Sequence, residues 1–209
     1  MGAEQFPQDV AELQRLLGPL DSSQGVNAIP GAGTNVPIWL LGSSLFSAQL
    51  AAQQGLPYAF AGHFAPRLYQ EALRIYRDQF QPSAQLAEPY AMLAVPAVPA
   101  DSAAEARYLS TTSYQRILAL FRGQPLWMKP PVASMEGLWH PQEEAGVKGF
   151  LGLQLLGDAP AIEEQLARLL ATVEVDELMV TVDLYDPAKR RHALDILASL
   201  PQFQANGGR

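Results

Sequence analysis

Four apolar runs, residues 36–41, 58–61, 90–98 and 177–182, alternate with stretches of helical spacing, and this alternation constrains the fold more than any other feature. The runs show no polar alternation, as expected for strands buried on both faces in a parallel sheet. Helical spacing is found over 9–17 before Gly18-Pro19, and over 45–54 between Ser43-Ser44 and Gly55. It recurs from Pro66 through Phe80, over 103–121 before Gly123, over 162–170, and over 188–200. Small polar residues at the starts and Gly or Pro at the stops are ordinary helix boundaries. The predicted class is therefore α/β, a parallel sheet covered by helices, with about four βα units. A closed eight-stranded barrel takes about 250 residues. A chain of 209 residues with four strands is thus expected to form a partial TIM-type β/α barrel. Such a sheet has two raw edges, which favour pairing with another copy or a complementing chain.

Residues 1–209 read as a single domain with two irregular stretches. Residues 124–149 carry Pro125, Pro130, Pro131 and Pro141 with Trp127 and Trp139, a long connection expected to be a lid or a packed excursion, with packing favoured. The tail, 202–209, is expected to be disordered. Fourteen Lys and Arg against 21 Asp and Glu give a net charge of -7, which offers nucleic acid no basic footprint. No apolar run approaches the roughly 20 residues of a membrane-spanning helix. The first ten residues, with Glu4, Pro7 and Asp9, do not resemble a secretory signal. With no Cys there is no thiolate chemistry, which fits a reducing, cytoplasmic setting.

Ligand sites in parallel β/α folds lie at the carboxyl ends of the strands. Four places qualify. In the first, Gly42-Ser43-Ser44-Leu45-Phe46-Ser47, a strand enters a helix through a small-residue turn whose amides and hydroxyls could surround a phosphate, although Ser43 or Ser44 could equally be a plain N-cap. In the second, Gly62-His63-Phe64-Ala65-Pro66, His63 is a candidate pocket acid, base or hydrogen-bonding group, or a loop histidine bonded to the backbone. The third, 96–101, offers Asp101, which is expected to cap a helix. The fourth is Thr181-Val182-Asp183, with Tyr185 and Asp186 beyond it, where the two acids are candidate pocket groups but more often cap the helix that follows. His140 and His192 stand apart from any carboxylate pair at ligand spacing, so no metal site is expected.

Val36-Pro37-Ile38-Trp39-Leu40-Leu41-Gly42-Ser43-Ser44-Leu45-Phe46-Ser47, then Gly55-Leu56-Pro57-Tyr58-Ala59-Phe60-Ala61 and His63-Phe64-Ala65-Pro66, resemble the luciferase-like flavin-dependent monooxygenases. The likeness continues through Glu71-Ala72-Leu73, Tyr76-Arg77, Pro82-Ser83, Pro130-Pro131-Val132 and Asp176-Glu177-Leu178-Met179-Val180-Thr181, and so covers nearly the whole chain. The resemblance implies a β/α barrel that binds reduced flavin mononucleotide (FMN), or in some members a deazaflavin, and passes electrons to dioxygen or an organic substrate. It implies that the turn with Gly42, Ser43, Ser44 and Ser47 holds the flavin phosphate and that His63 lies near the flavin ring. It begins in the middle of the family's barrel, so the N-terminal half, the first three or four strands, is expected to be missing. Pro96 stands where a polar residue is common at a strand end.

Two functions follow from these features. One is a flavin-dependent oxidoreductase or monooxygenase using reduced FMN and dioxygen on a small organic substrate, its other half supplied by a second copy or another chain. The alternative is a non-catalytic, flavin-binding or structural half-barrel that dimerises through its exposed edges.

Overall fold

The computed structural model describes residues 5–20 and 25–204. After α1 (Phe6–Leu17), β1 (Leu40–Gly42) leads into α2 (Leu45–Gln54), β2 (Tyr58–Ala61) into α3 (Tyr69–Gln79) and β3 (Ala91–Pro99) into α4 (Ala103–Phe121). Next come α5 (Pro141–Phe150), β4 (Leu155–Gly157), α6 (Ala159–Leu170), β5 (Glu177–Thr181), α7 (Pro187–Ser199) and α8 (Pro201–Gln204). All strand pairings are parallel. β1 pairs with β2, β2 with β3, and β3 with β5 along residues 92–96, while residues 97–99 of β3 pair with β4. β1, β2, β3 and β5 thus neighbour one another in chain order, without the reversal of a doubly wound sheet. The fold is α/β, part of a TIM-type barrel.

Register assigns the two faces. Tyr58, Phe60 and Leu93 are fully buried beneath the helices, with Tyr58 and Tyr76 of α3 at 5.3 Å between ring centroids. The opposite face, through Leu41, Ala59 and Met92, is the concave side of the sheet. Here, among the described residues, Leu41 and Met179 on the edge strands are left 66% and 52% exposed. At the amino ends of the strands Arg77 of α3 donates to the Glu174 carbonyl at 3.0 Å and to Asp176 at 2.8 Å. Asp176 also accepts from the Ala91 amide at 2.8 Å, so one charge pair ties α3 to the starts of β3 and β5.

Several details depart from the expectations. The first strand is shorter than 36–41, because pairing with β2 begins only at Leu40, Pro37 has no N–H to donate, and the Ile38 carbonyl is taken by the Gln85 side chain at 3.0 Å. A fifth strand, β4, is too short to carry a hydrophobic period. The Pro-rich stretch contains a helix, α5, and packs on α4: Val132, Met135, Trp139 and Val147 meet Tyr114, Ile117 and Leu118 in a small second core. Trp127 takes no part and is 72% exposed. Of the expected frayed tail, residues 202–204 fall in α8 with Phe203 against the main core, and 205–209 lie outside the described residues. Among the described residues no helix is long and apolar enough to cross a membrane.

Candidate functional site

The β1–α2 turn is built around two close contacts. A Cβ on Gly42 would sit 2.2 Å from Ser47 Oγ, so only Gly lets the strand pass the helix at this distance. Ser47 Oγ in turn donates to the Ser44 carbonyl at 2.7 Å and shares a hydrogen with Tyr58 Oη at 3.1 Å. Burial holds the Tyr58 phenol neutral and pushes its pKa up to about 12, with the bond to Ser47 opposing this in part. Ser44 is the N-cap of α2, its Oγ accepting from the Ser47 amide at 3.3 Å.

The four residues of this turn therefore have different tasks. Gly42 permits the packing, Ser47 is buried and shapes the turn from beneath, and Ser44 caps the helix. Ser43 is half-buried, and among the described residues its hydroxyl has no hydrogen-bond partner. The amides of Leu45 and Phe46, in the first turn of α2, have no acceptor within the helix. No acidic side chain lies in that turn, so nothing opposes an anion at the positive end of the helix.

A second group gathers where β2, β3 and β5 end. His63 follows β2, Pro96 and Ala97 belong to β3, Thr181 ends β5, and Asp183 lies just beyond it. Ser113, Arg116 and Ile117 reach in from α4, and Phe150, Leu151 and Gln154 from the end of the excursion, around a recess of about 70 Å³. Arg116 Nη1 donates to Asp183 Oδ2 at 2.6 Å. His63 Nδ1 is buried without a hydrogen-bond partner, and the ring lies against Phe64 with centroids 4.2 Å apart. Burial lowers the imidazole pKa, Asp183 acting against this and Arg116 with it, so His63 favours its neutral form.

The remaining candidates are sorted by the same geometry. Asp186 caps α7, accepting from the amides of Ala188 and Lys189. Asp101 caps nothing. Ser102 caps α4, and Asp101 instead meets His192 Nε2 at 2.7 Å, because α7 returns beside the start of α4. Pro96 breaks no ladder: Tyr90 faces β2 and Ala91 faces β5, so Pro96 turns its nitrogen to the β2 side, beyond Ala94, the last residue paired there. Among the described residues no three His, Asp or Glu side chains cluster as metal ligands would. The sequence reading missed Arg116, which sits mid-helix 67 residues from Asp183. Its only local signal is a charge within a helix whose neighbouring turns are apolar or hydroxylic.

Parallel strands in chain order, with their free polar groups at the carboxyl ends, define the β/α-barrel class and its usual place for a ligand. Within that class the chain belongs to the luciferase-like monooxygenase family, whose model matches residues 16–172. A protein of Escherichia coli K12 named luciferase-like monooxygenase is 42% identical over 193 residues, which are 92% of this chain and 58% of that one. The uncharacterized protein YvbT of Bacillus subtilis is 42% identical over 198 residues, 94% of this chain and 59% of its own. The chain thus spans under two thirds of these relatives' length. The crystal structure of apo-MsnO8 superposes with a TM-score of 0.83 at 26% identity, covering 94% of this chain and 60% of that one. The FMN complex of a type II Baeyer-Villiger monooxygenase from Pseudomonas putida shares the fold, with a TM-score of 0.57 at 15% identity over 87% of this chain and 53% of its own.

Proposed function

We propose that the chain is the carboxyl-terminal, cofactor-holding part of a flavin-dependent oxidoreductase of the monooxygenase type, with FMN as cofactor. The observation that carries this reading is the β1–α2 turn, where a free Ser43 hydroxyl and the first amides of an acid-free helix N-terminus open at the strand mouth. This donor set fits a phosphate: Ser43 and the amides of Leu45 and Phe46 would bind it, Ser44 would orient the helix end, and Ser47 would hold Ser44 and Gly42 in place. When bound, reduced flavin would supply two electrons to dioxygen, one of whose oxygen atoms would enter a small organic substrate while the other leaves as water. Around it, His63 presents a neutral imidazole and Phe64 an aromatic wall. His63 is the candidate catalytic residue of this chain. Membership of the family supports FMN over an unrelated phosphate ligand; a structural neighbour that is a coenzyme F420 dependent reductase, with a TM-score of 0.60 at 12% identity, keeps a deazaflavin as the second choice.

Titration with FMN and with riboflavin, followed by quenching of flavin fluorescence, tests the assignment. Ser43→Ala is expected to weaken FMN by about 1 to 3 kcal/mol, as for a lost hydrogen bond to a charged group, and to leave riboflavin unchanged. Equal loss for both ligands, or no saturable binding of either, would overturn it. Ser43 is the better probe than Ser44, whose removal also costs the helix its cap.

The uncovered concave face favours a companion reading for the assembly. Leu41 on β1 and Met179 on β5 stand at the two open edges of the sheet, where a second copy or a complementing chain would continue the barrel. Should FMN fail to bind, the same edges support the structural half-barrel.

A further inference from the structure

The recess at His63, Arg116 and Asp183 has a volume of about 70 Å³ and opens to solvent. Its polar side chains sit close enough together to meet one functional group of a ligand. Its walls say which. Arg116 is the recess's only cation and Asp183 its only anion, and the two are joined at 2.6 Å. An anionic ligand would gain Arg116 but face Asp183, and a cationic one the reverse, so an uncharged group is the one not opposed. The Arg116–Asp183 bond uses a single guanidinium nitrogen and a single carboxylate oxygen. Donors therefore remain on Arg116 and an acceptor on Asp183, beside the neutral imidazole of His63. Next to the recess, and sharing Phe64 and Phe150 with it, runs a groove of about 400 Å³ lined also by Leu68 and Phe121. Phe121 and Phe150 meet edge to face at 5.9 Å.

We propose that this recess recognises a group that both accepts and donates hydrogen bonds without carrying charge, a carboxamide or lactam, borne on an apolar ring that lies on the Phe64–Phe150 groove. The carbonyl oxygen accepts from Arg116, and the N–H donates to Asp183 or His63. Arg116 and Asp183 are then the specificity-determining pair of the site. The inference rests on the oxidoreductase reading only in assigning that group to the organic substrate; the recognition itself requires no flavin.

The test uses the purified chain without flavin and three probes of similar size: benzamide, benzoate and benzylamine. Binding is followed through the imidazole nitrogen resonances of His63, assigned with His63→Gln. The native chain is expected to bind benzamide about tenfold more tightly than either charged probe, as for one hydrogen bond to an ionised group. Asp183→Asn leaves Arg116 uncompensated and is expected to invert the order in favour of benzoate. This second arm reads a change of preference rather than a loss, so a general weakening of the fold would not imitate it. Preference of the native chain for benzoate or benzylamine, no response of His63 to any probe, or an unchanged order in Asp183→Asn would each overturn the proposal. Because FMN quenching is measured separately, failure here leaves the phosphate assignment standing, and the reverse also holds.

Discussion

Tyr58 shows how one residue serves both core and site. Its ring is fully buried against Tyr76 and Phe60, while its hydroxyl reaches Ser47 and, through it, the turn that ends β1. A buried phenol resists ionisation, so its pKa of about 12 in the fold exceeds the ordinary 10.0. The folded chain then holds its proton above pH 10, where the unfolded chain releases it. The associated stability is complete below about pH 10 and is lost as pH rises through about 12. Tyr76, also raised by burial, acts in the same direction. Tyr58→Phe is accordingly expected to flatten the fall of the urea midpoint between about pH 10 and about 12, with a residual slope from Tyr76. A slope unchanged from the native chain would mean that Tyr58 is not protected as its burial implies. The apolar run at 58–61 was legible from the sequence. That its first hydroxyl supports the turn at Gly42 was not, because the bond joins residues eleven positions apart.

At the scale of elements, the two features that sequence periodicity missed are held by side chains standing in for backbone. β4 has three residues, and Gln165 of α6 bonds both polar groups of its middle one, accepting from the Leu156 amide at 3.1 Å and donating to its carbonyl at 3.0 Å. The amide side chain satisfies Leu156 as a neighbouring strand would. Gln165→Leu leaves both groups unmatched and is expected to lower stability by about 1 to 3 kcal/mol, with faster hydrogen exchange at Leu156. Exchange at Leu156 as slow as in the native chain would show that the strand needs no such support. The excursion is held in the same way. Pro130 and Pro131 have no N–H to pair but keep their carbonyls, and α4 turns donors toward this stretch: Thr112 to the Lys129 carbonyl at 2.9 Å and Gln115 to that of Pro130 at 3.0 Å. Thr111 accepts from the Val132 amide at 2.8 Å, its own proton going to the Tyr108 carbonyl at 2.7 Å. Thr111 and Thr112, within the buried hydroxyl run 110–113, form with Gln115 the docking strip for the proline-rich segment. It also places Phe150 and Leu151 beside the recess.

For the whole molecule the sheet is the deciding object. Its convex face is buried by helices, and its concave face presents Leu41, Met92 and Met179 around small residues such as Ala59, Ala61 and Ala94. These small residues are themselves buried, while Leu41 and Met179 at the edges stay exposed. Exposed apolar edges favour association. Light scattering of the purified chain at increasing concentration is expected to give a dimer or larger species, and Met179→Lys together with Leu41→Lys is expected to shift it toward monomer. A chain that is monomeric at every concentration, and whose melting temperature does not change with concentration, would refute closure by a second copy.

From sequence alone came the class and the address of the candidate site. Unbroken apolar runs, helix caps and glycine stops are local signals, and they placed α2, α3 and α4 to within a few residues and pointed to Ser43 and His63 at the strand ends. What only the tertiary structure decided were the relations between distant residues: the pairing of Arg116 with Asp183, the seat of Asp101 against His192, and the division of labour among the three serines of the β1–α2 turn. The reason is physical. A strand or cap is set by the chemistry of a few neighbours along the chain, whereas a charge pair across a recess depends on where the helix bearing one partner comes to rest, and that is fixed by packing against the rest of the fold.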